Sequence, residues 1–325
     1  MDEKAEKEQE RLMDANTVKK VLVVGSGVMG NSIAQVFAVT GMDVALVDVD
    51  EKILNHAMRL IESGLDTLAD FGKVSRDEIP SVLSRITPST HLKEMARDID
   101  FVIEAVPEVP GIKNKVFSQL DQFCGVDTIV ASNTSGLNIF TLADVKRPER
   151  LIIAHFFAPA HIIPLVEVVP GPKTSAEVVS FTVRLMERAG KSAIVLNEFV
   201  PSFIVNRIQI AISLAAQEML EKGWANPEDI DRAVKLSLGI RLPIVGVVQT
   251  WDFNGLDLAR DVLKSVGRDS SFFEKRVAQG HLGVKTSRGV YDYGGRSEAE
   301  ILKKRDELFL KMLDYLRNIN AFEPV

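Results

Sequence analysis

The sequence predicts an α/β protein in which a mostly parallel sheet domain is followed by an all-helical C-terminal domain. Short apolar runs alternate with helical stretches over roughly the first half of the chain, as in parallel sheets covered on both faces. The first run ends at a glycine-rich turn. Beyond about residue 200 the strand-like runs cease, and apolar residues recur at helical spacing up to the C-terminus.

Both kinds of pattern can be placed on the chain. Apolar runs predict buried strands at 21–24, 44–47, 101–103, 128–131, 151–153 and 165–168. Helical spacing predicts helices over 51–72, 76–84, 204–219 and 298–318, and a further helix that starts at Asn226-Pro227. Glu198 and Pro201 interrupt the pattern, so the predicted domains are a disordered charged extension (1–17), a sheet domain (18–199) and a helical domain (200–325).

The composition argues against several classes of protein. A net charge of −6 speaks against nucleic-acid and anionic-membrane partners. The single cysteine, Cys124, excludes an intrachain disulfide and a cysteine-type zinc site, and no metal site is expected. No apolar stretch approaches the length of a membrane-spanning helix. Residues 1–17 are too acidic for a secretory or transit leader, so we expect a cytoplasmic protein.

A glycine motif marks the first predicted strand–helix turn. The pattern G-x-G-x-x-G is formed by Gly25, Ser26, Gly27, Val28, Met29 and Gly30. It follows a strand, opens a helix and precedes an acid at the end of the next strand, which is the context of a Rossmann-type dinucleotide site. Gly25 permits the tight turn, Gly27 lets the backbone approach a pyrophosphate, and Gly30 allows close packing of helix and strand.

Asp48 is the acid in question, and it predicts which dinucleotide binds. A carboxylate there accepts hydrogen bonds from the adenosine ribose 2′-hydroxyl and repels a 2′-phosphate, and Val49-Asp50 supplies no arginine to neutralise one. NAD is therefore expected rather than NADP. A flavin, which shares this fingerprint, and a ligand-free glycine turn are the alternatives.

A histidine and a glutamate stand out among the later strands. His155 closes one predicted strand, and Glu167 lies inside the apolar strand that follows. Because an unpaired buried carboxylate is unfavourable, Glu167 needs a partner, and His155 is the obvious one. A carboxylate that fixes the tautomer of a histidine makes it a better base toward a substrate hydroxyl. The sequence therefore predicts a general base here, with a purely structural His–Glu pair as the alternative.

Further segments connect the sequence with a known family. They are DFVIEAVPE at 100–108, ASNTS at 131–135, HFF at 155–157, LVEV at 165–168, FIVNR at 203–207 and GVKTSRGVY at 283–291. Together with the glycine motif, in this order, they resemble the L-3-hydroxyacyl-CoA dehydrogenases over about residues 18–293. The resemblance implies a Rossmann-type domain, NAD-dependent oxidation of a secondary alcohol in fatty acid metabolism, and a homodimer formed through the C-terminal domain.

The resemblance also implies roles for single residues. His155 corresponds to the family's general base and Glu167 to its orienting partner. Ser135 corresponds to the serine that hydrogen-bonds the reacting oxygen, and Asn206 to the asparagine that helps to hold the same group. The residues implied to line the cofactor site are Glu108, Lys113 and Ser135. The structural alternatives are a turn residue for Ser135 and a partner of a backbone group for Asn206.

The sequence departs from the family where coenzyme A would be held. In the acyl-CoA enzymes, the helix after the ribose-binding acid carries a serine and a lysine for coenzyme A. By spacing, Gly64 and Phe71 take those positions here, although Lys73 is near. The loss of a phosphate-binding lysine favours a smaller, free acid as substrate. Arg241 would hold its carboxylate as a bidentate clamp, and a salt bridge is the structural alternative.

We therefore expect an NAD-dependent oxidoreductase that acts on a CH–OH group. The first expectation is oxidation of a short-chain 3-hydroxyacyl-CoA, such as 3-hydroxybutyryl-CoA, to the 3-oxoacyl-CoA. The second is oxidation of a free hydroxy acid such as gulonate or carnitine. A catalytically silent NAD-binding protein is a more distant alternative, against which the complete set of His155, Glu167, Ser135 and Asn206 argues.

Overall fold

The computed structural model describes residues 14–323, and the structural statements below refer to them. Its sheet has eight strands in the order β3-β2-β1-β4-β5-β6-β7-β8. The strands are β1 (Lys20–Val24), β2 (Asp43–Val47), β3 (Ile86–Ser89), β4 (Phe101–Glu104), β5 (Ile129–Ser132), β6 (Leu151–Phe156), β7 (Leu165–Pro170) and β8 (Ser192–Val195). Neighbouring strands are parallel except β6 and β7, which pair antiparallel.

Helices separate the strands, except between β6 and β7, and predominate in the described residues after β8. Those of the sheet region are α1 (Val28–Val39), α2 (Glu51–Asp70), α3 (Ile79–Ser84), α4 (Leu92–Met95), α5 (Pro110–Phe123), α6 (Ile139–Leu142) and α7 (Ala176–Arg188). The later ones are α8 (Val205–Glu221), α9 (Pro227–Ala233), α10 (Gly239–Asn254), α11 (Leu256–Ser265), α12 (Ser271–Ala278) and α13 (Glu298–Asn318). The predicted fold class, a Rossmann-type sheet domain followed by a helical domain, is confirmed.

The two strands that the sequence did not predict, β3 and β8, lie at the two edges of the sheet. β3 contains Pro88 and buries only Ile86 fully, and none of the residues of β8 is fully buried. Edge strands have one unpaired side and tolerate proline and polar residues, so they lack the continuous apolar run by which a central strand is recognised.

The predicted N-terminal extension ends earlier than expected. Residues 1–13 of that prediction lie outside the described residues. Ala15–Thr17, however, form a short helical turn that is capped by Asp14, and Ala15 is buried. The Arg188 guanidinium donates to the carbonyl oxygens of Ala15 and Val18, both at 2.8 Å. The prediction is therefore wrong for residues 15–17, because α7 ties this turn to the sheet region.

The chain divides into two compact units between Ile210 and Ala211, later than the predicted boundary after residue 199. The intervening residues belong to the first unit, since Phe203 is buried and the backbone N–H groups of Ile204 and Val205 bind a carboxylate of the sheet. The first unit holds the large apolar core. In the second unit the buried apolar cluster is small and is centred on Val284, Tyr293 and Ile301.

One helical segment of the second unit is longer and more apolar than the sequence analysis expected. Pro227–Asn254 is a 28-residue run of helix whose most apolar window has a mean hydropathy of 1.3, long and apolar enough to cross a membrane by length and composition. The expectation that no segment reaches this length is thus corrected. The run is not one regular α-helix, because it contains Pro243 and is broken at Gly246, whose φ is 63° and ψ −172°.

Candidate active site

The carboxyl ends of β1, β2, β4 and β5 border a cavity of about 900 Å³. Parallel strands expose their carboxyl ends at one sheet edge, and nucleotides bind there in folds of this kind. Seven of the residues predicted for the cofactor or the substrate lie in its lining, namely Gly25, Gly27, Val28, Met29, Asp48, Glu108 and Ser135.

The three glycines of the motif have the distinct environments that a dinucleotide turn requires. A Cβ atom on Gly25 would lie 2.6 Å from the Ala105 carbonyl oxygen, and one on Gly30 would lie 1.7 Å from that of Gly25. A Cβ atom on Gly27, the N-cap of α1, would meet nothing within 4 Å. Two glycines therefore permit close packing, while the third leaves an open cradle beside a helix N-terminus. These residues fit a pyrophosphate.

Asp48 is held in place by the glycine turn. Its Oδ2 accepts hydrogen bonds from the Ser26 backbone N–H at 2.7 Å and the Ser26 hydroxyl at 2.9 Å. Its Oδ1 accepts from the Val49 backbone N–H at 2.7 Å. Ser26 is buried and thus orients the carboxylate from behind. The sequence had grouped Ser26 with the residues that bind the cofactor, whereas here it supports one of them.

Lys113 differs most from its expected place. Its side chain is fully buried, and its ammonium group donates to Glu104 Oε1 at 2.7 Å and to the Val106 carbonyl oxygen at 3.3 Å. It also lies 3.1 Å from Glu108 Oε2. A lysine that lines the cofactor site was expected, but Lys113 instead anchors the lining residue Glu108 from inside the protein.

Glu104, which the sequence analysis did not single out, is the centre of this cluster. Its carboxylate is 0% exposed and also accepts from the Val106 backbone N–H at 2.9 Å and the Ser132 hydroxyl at 2.5 Å. Two uncharged donors and an ammonium partner satisfy this buried carboxylate. A glutamate that closes an apolar strand was a signal that could have found it, by the same argument that singled out Glu167.

Glu108 connects this cluster to the loop that carries Ser135. Its Oε1 accepts one hydrogen bond from the Thr134 hydroxyl and another from the Ser135 backbone N–H at 3.0 Å. Partial burial raises the pKa of Glu108, but the hydrogen bond from Thr134 and the charge of Lys113 outweigh it and hold that pKa below its ordinary value. Glu108 therefore fixes the backbone of Ser135 as a carboxylate at neutral pH.

His155 and Glu167 face each other across the one antiparallel strand pair, β6 and β7. Nδ1 of His155 lies 2.9 Å from Oε2 of Glu167, and both residues are buried. The predicted contact is thus present. The rings of Phe157 and Phe203 pack against the imidazole at centroid distances of 4.5 and 5.3 Å. Because Nδ1 is taken, Nε2 is the nitrogen left to exchange a proton with a substrate.

The second oxygen of Glu167 fixes the start of α8. Oε1 accepts the backbone N–H groups of Ile204 and Val205, each at 3.0 Å. Burial raises the pKa of Glu167, but the hydrogen bonds from His155 and these two N–H groups lower it below its ordinary value. Asn206 is the next residue of this helix and is half-buried. The carboxylate thus positions both the imidazole and the backbone that carries Asn206.

The surroundings of Asn133 and Arg241 can also be compared with the sequence analysis. Asn133 accepts the Phe156 backbone N–H through its Oδ1 at 2.8 Å, which ties the end of β6 to the loop after β5. It also lines the cavity, a place that the sequence did not predict. Arg241 lies in α10 of the second unit, where its guanidinium donates to the Ser237 hydroxyl at 3.0 Å.

A dinucleotide cavity beside a buried histidine–carboxylate pair defines an NAD-dependent dehydrogenase. Residues 20–199 match the model of the 3-hydroxyacyl-CoA dehydrogenase NAD binding domain, and residues 203–293 match that of the 3-hydroxyacyl-CoA dehydrogenase C-terminal domain. The chain belongs to the 3-hydroxyacyl-CoA dehydrogenase family. It is an oxidoreductase that uses NAD and acts on CH–OH groups, as the sequence predicted.

Individual relatives agree with this assignment. A probable 3-hydroxybutyryl-CoA dehydrogenase of Bacillus subtilis is 38% identical over 285 residues, which are 85% of this chain and 98% of that protein. A 3-hydroxyacyl-CoA dehydrogenase from Archaeoglobus fulgidus superposes with a TM-score of 0.77 at 29% identity, over 92% of this chain and 99% of that one. An NAD⁺-dependent 5-formyl-3-hydroxy-2-methylpyridine 4-carboxylic acid 5-dehydrogenase superposes with a TM-score of 0.71 at 28% identity. The superposition covers 94% of this chain and 100% of that one.

Proposed function

We propose that the protein oxidises the secondary alcohol of a short-chain 3-hydroxyacyl-CoA to the 3-oxoacyl-CoA, with His155 as the general base. The observation that supports this most directly is the 2.9 Å contact between His155 and Glu167 beside the cofactor cavity. Bound NAD⁺ supplies the hydride acceptor. The protein supplies the proton acceptor and the groups that fix the alcohol.

Each proposed residue has one task. The His155 Nε2 removes the hydroxyl proton while the carbinol carbon gives up its hydride, so that a C=O bond forms and the imidazole becomes positively charged. Glu167 stabilises that imidazolium and holds its orientation through Nδ1. Ser135 and Asn206 hydrogen-bond the reacting oxygen. The backbone of Ser135 is fixed by Glu108, and that of Val205, directly before Asn206, by Glu167.

For the cofactor, the glycine cradle and Asp48 are the main contacts. The N-terminus of α1 at Gly27 takes the pyrophosphate, and Asp48 accepts the ribose hydroxyls. Val28 and Met29 line the same wall of the cavity. Gly30 contributes by packing, since its backbone touches Gly25.

A free hydroxy acid is the second candidate substrate, and α2 favours it. A Cβ atom on Gly64 would lie 2.7 Å from the Gln35 side-chain oxygen, so this position is packed inward and offers coenzyme A no side chain. Farther along, Asp66 and Asp70 pair with Arg76 at 3.2 and 2.5 Å, and Phe71 is 77% exposed. The arginine here is already paired and the exposed Phe71 is apolar, so this surface is a poor match for coenzyme A phosphates unless the exposed Lys73 binds them. Arg241 is the proposed clamp for the carboxylate of such an acid.

Initial rates of NADH formation decide between the two substrates. We would compare 3-hydroxybutyryl-CoA with free 3-hydroxybutyrate, L-gulonate and carnitine at matched concentrations. A strong preference for the CoA ester supports the first proposal, and a preference for a free acid overturns it in favour of the second. Phe71→Lys sharpens the comparison, because an added ammonium group should lower KM for a CoA ester severalfold and leave KM for an uncharged ester unchanged.

We further propose that a second copy of the chain covers the apolar surface of the second unit, forming a homodimer. Many large apolar side chains are exposed there, among them Ile212, Leu214, Leu220, Trp224, Leu236, Val247, Leu258, Val262, Leu310 and Tyr315. Exposed apolar side chains that lie together on one surface are typical of protein–protein contacts. We assign the apolar run Pro227–Asn254 to the same contact.

The mass in solution tests this assembly. Light scattering coupled to size exclusion should give twice the chain mass for the wild type and the monomer mass for Leu214→Glu, which places a charge on a 60% exposed leucine. Val126→Glu, at a 70% exposed valine of the first unit, is the matched control and should stay dimeric. A monomeric wild type contradicts the proposal, and wild-type binding to phospholipid vesicles would instead assign the run to a membrane.

A further inference from the structure

The cluster of Glu104, Lys113 and Glu108 has a charge that the proposed mechanism does not use. Two carboxylates share one ammonium group, so the cluster carries a net charge of −1. Glu104 and Lys113 are almost completely buried, with 0% and 1% of their side chains exposed. Water screens charges at such positions weakly, so this charge acts on its surroundings over a longer range than a surface charge would.

The topology places this charge at one end of the cofactor cavity. Asp48 follows β2, the glycine turn follows β1, and Glu108 and Ser135 follow β4 and β5, in the spatial order β2-β1-β4-β5. A dinucleotide with its ribose on Asp48 and its pyrophosphate on the glycine turn extends its nicotinamide half toward β4 and β5. The cluster therefore belongs to the nicotinamide end.

The two redox forms of the cofactor differ in charge at that end. The nicotinamide ring is positively charged in NAD⁺ and neutral in NADH, while the phosphates and the adenosine are the same in both. A negative charge near the ring therefore stabilises bound NAD⁺ and leaves NADH almost unaffected. The carboxylate of Asp48, at the adenosine end, acts on both forms equally.

We propose that Glu104 is a positioning and electrostatic residue that sets the relative affinity of this enzyme for NAD⁺ and NADH, through the net negative charge of its cluster with Lys113 and Glu108. Without Glu104, the charges of Lys113 and Glu108 would cancel. The Val106 backbone N–H and the Ser132 hydroxyl, two uncharged donors, hold Glu104 in place without neutralising it. The inference rests on the proposed placement of NAD but not on the identity of the substrate.

A charge series separates this role from a structural one. Lys113→Met leaves two carboxylates and a net charge of −2, and Glu104→Gln leaves the neutral pair of Lys113 and Glu108. The double variant with both substitutions keeps only Glu108 charged, so its net charge is again −1. Affinities for NAD⁺ by calorimetry and for NADH by its fluorescence, both without substrate, give the ratio of the two dissociation constants. Because no substrate is present, the outcome is independent of the proposed catalytic activity.

The preference for NAD⁺ over NADH should follow the net charge. We expect it to fall about three- to tenfold in Glu104→Gln, to rise by a similar factor in Lys113→Met, and to return to within about twofold of the wild type in the double variant. Glu149→Gln is the matched control and should leave the ratio unchanged. Glu149 is exposed and precedes the amino end of β6, whereas the cavity lies at the carboxyl ends of the parallel strands.

The proposal is overturned if Glu104→Gln weakens both redox forms equally, which is the signature of a structural role alone. Circular dichroism and thermal melting establish that each variant is folded. Should Glu104→Gln fail to fold, Lys113→Met carries the test in the opposite direction, and an unchanged or lowered preference for NAD⁺ then contradicts the proposal. A ratio in the double variant that stays at the Glu104→Gln value also contradicts it.

Discussion

Glu104 and Glu167 are both completely buried carboxylates of the same sheet, yet their surroundings suit them to different tasks. Glu104 is paired with Lys113, whose ammonium group is also engaged by Glu108 and the Val106 carbonyl oxygen. Glu167 is paired with His155, which uses only one of its two ring nitrogens for the contact. The first pair fixes a charge, whereas the second leaves a nitrogen free to move a proton. What distinguishes them is the remaining hydrogen-bonding capacity of the partner, not the burial of the acid.

The largest effect should come from removing the proton acceptor. His155→Gln keeps a polar side chain beside Glu167 but lacks a basic nitrogen, so kcat should fall roughly 100-fold or more. Affinity for NAD⁺ should be unchanged, because His155 is not among the residues that line the cofactor cavity. Steady-state kinetics and calorimetry measure the two quantities. Unchanged turnover would remove the assignment of the base.

A third carboxylate, Asp48, sharpens the comparison because it opens onto the cavity. Asp48→Ala removes both the acceptor for the ribose hydroxyls and the repulsion of a 2′-phosphate. We expect the affinity for NAD⁺ to fall about tenfold and that for NADP⁺ to rise, while kcat at saturating NAD⁺ changes little. Binding titrations with both cofactors test this, and equal losses for both would show that the acid does not select between them.

A smaller effect is expected from the residue behind that acid. Ser26→Ala removes one of the two hydrogen bonds from Ser26 to Asp48 and leaves the backbone N–H in place. The affinity for NAD⁺ should fall about threefold, as for the loss of a single hydrogen bond. Ser118→Ala, whose hydroxyl bonds the Asn114 carbonyl oxygen on the exposed side of α5, is a control that should bind NAD⁺ normally. A loss as large as that of Asp48→Ala would mean that Ser26 contacts the cofactor directly.

The smallest effect concerns stability in acid. The folded-state pKa of Glu167 lies below its ordinary value of 4.5, so its carboxylate adds stability above that pH and loses this contribution as the pH falls through the lowered pKa. The advantage of the wild type over Glu167→Gln in free energy of unfolding should therefore shrink below about pH 4.5. Urea titrations between neutral and acid pH measure it. A difference that stays constant with pH would contradict the lowered pKa.

Much of the fold could be predicted because central strands are buried on both faces. The runs that predicted β1, β2, β4, β5, β6 and β7 are apolar at nearly every position, and the glycine motif placed the cofactor site without any tertiary information. The edge strands β3 and β8 were not predicted, because they lack a continuous apolar run. One side of each edge strand is unpaired, so polar residues are tolerated there. The burial of Ala15 was missed because it packs into a core whose other members, like its hydrogen-bond partner Arg188, are mostly far away in sequence.

The same contrast applies to the site. The contact between His155 and Glu167 was predicted because a glutamate inside an apolar strand demands a partner. Glu104 also needs a partner, because it ends an apolar strand. Its partner Lys113 follows nine residues later on a helix, where a lysine resembles a solvent-exposed residue. The support of Asp48 by Ser26 depends on how the turn folds back onto β2, which spacing along the chain does not reveal. The catalytic roles themselves stay predictions.

The most direct test of the account measures Glu167→Gln and Glu104→Gln side by side, with kcat and the two cofactor affinities determined for each. We predict that Glu167→Gln lowers kcat about 10- to 100-fold and leaves the ratio of NAD⁺ to NADH affinity unchanged. Glu104→Gln should shift that ratio and lower kcat far less. If both variants change the same quantity by the same factor, the two buried carboxylates do not have separate tasks, and the central claim is wrong.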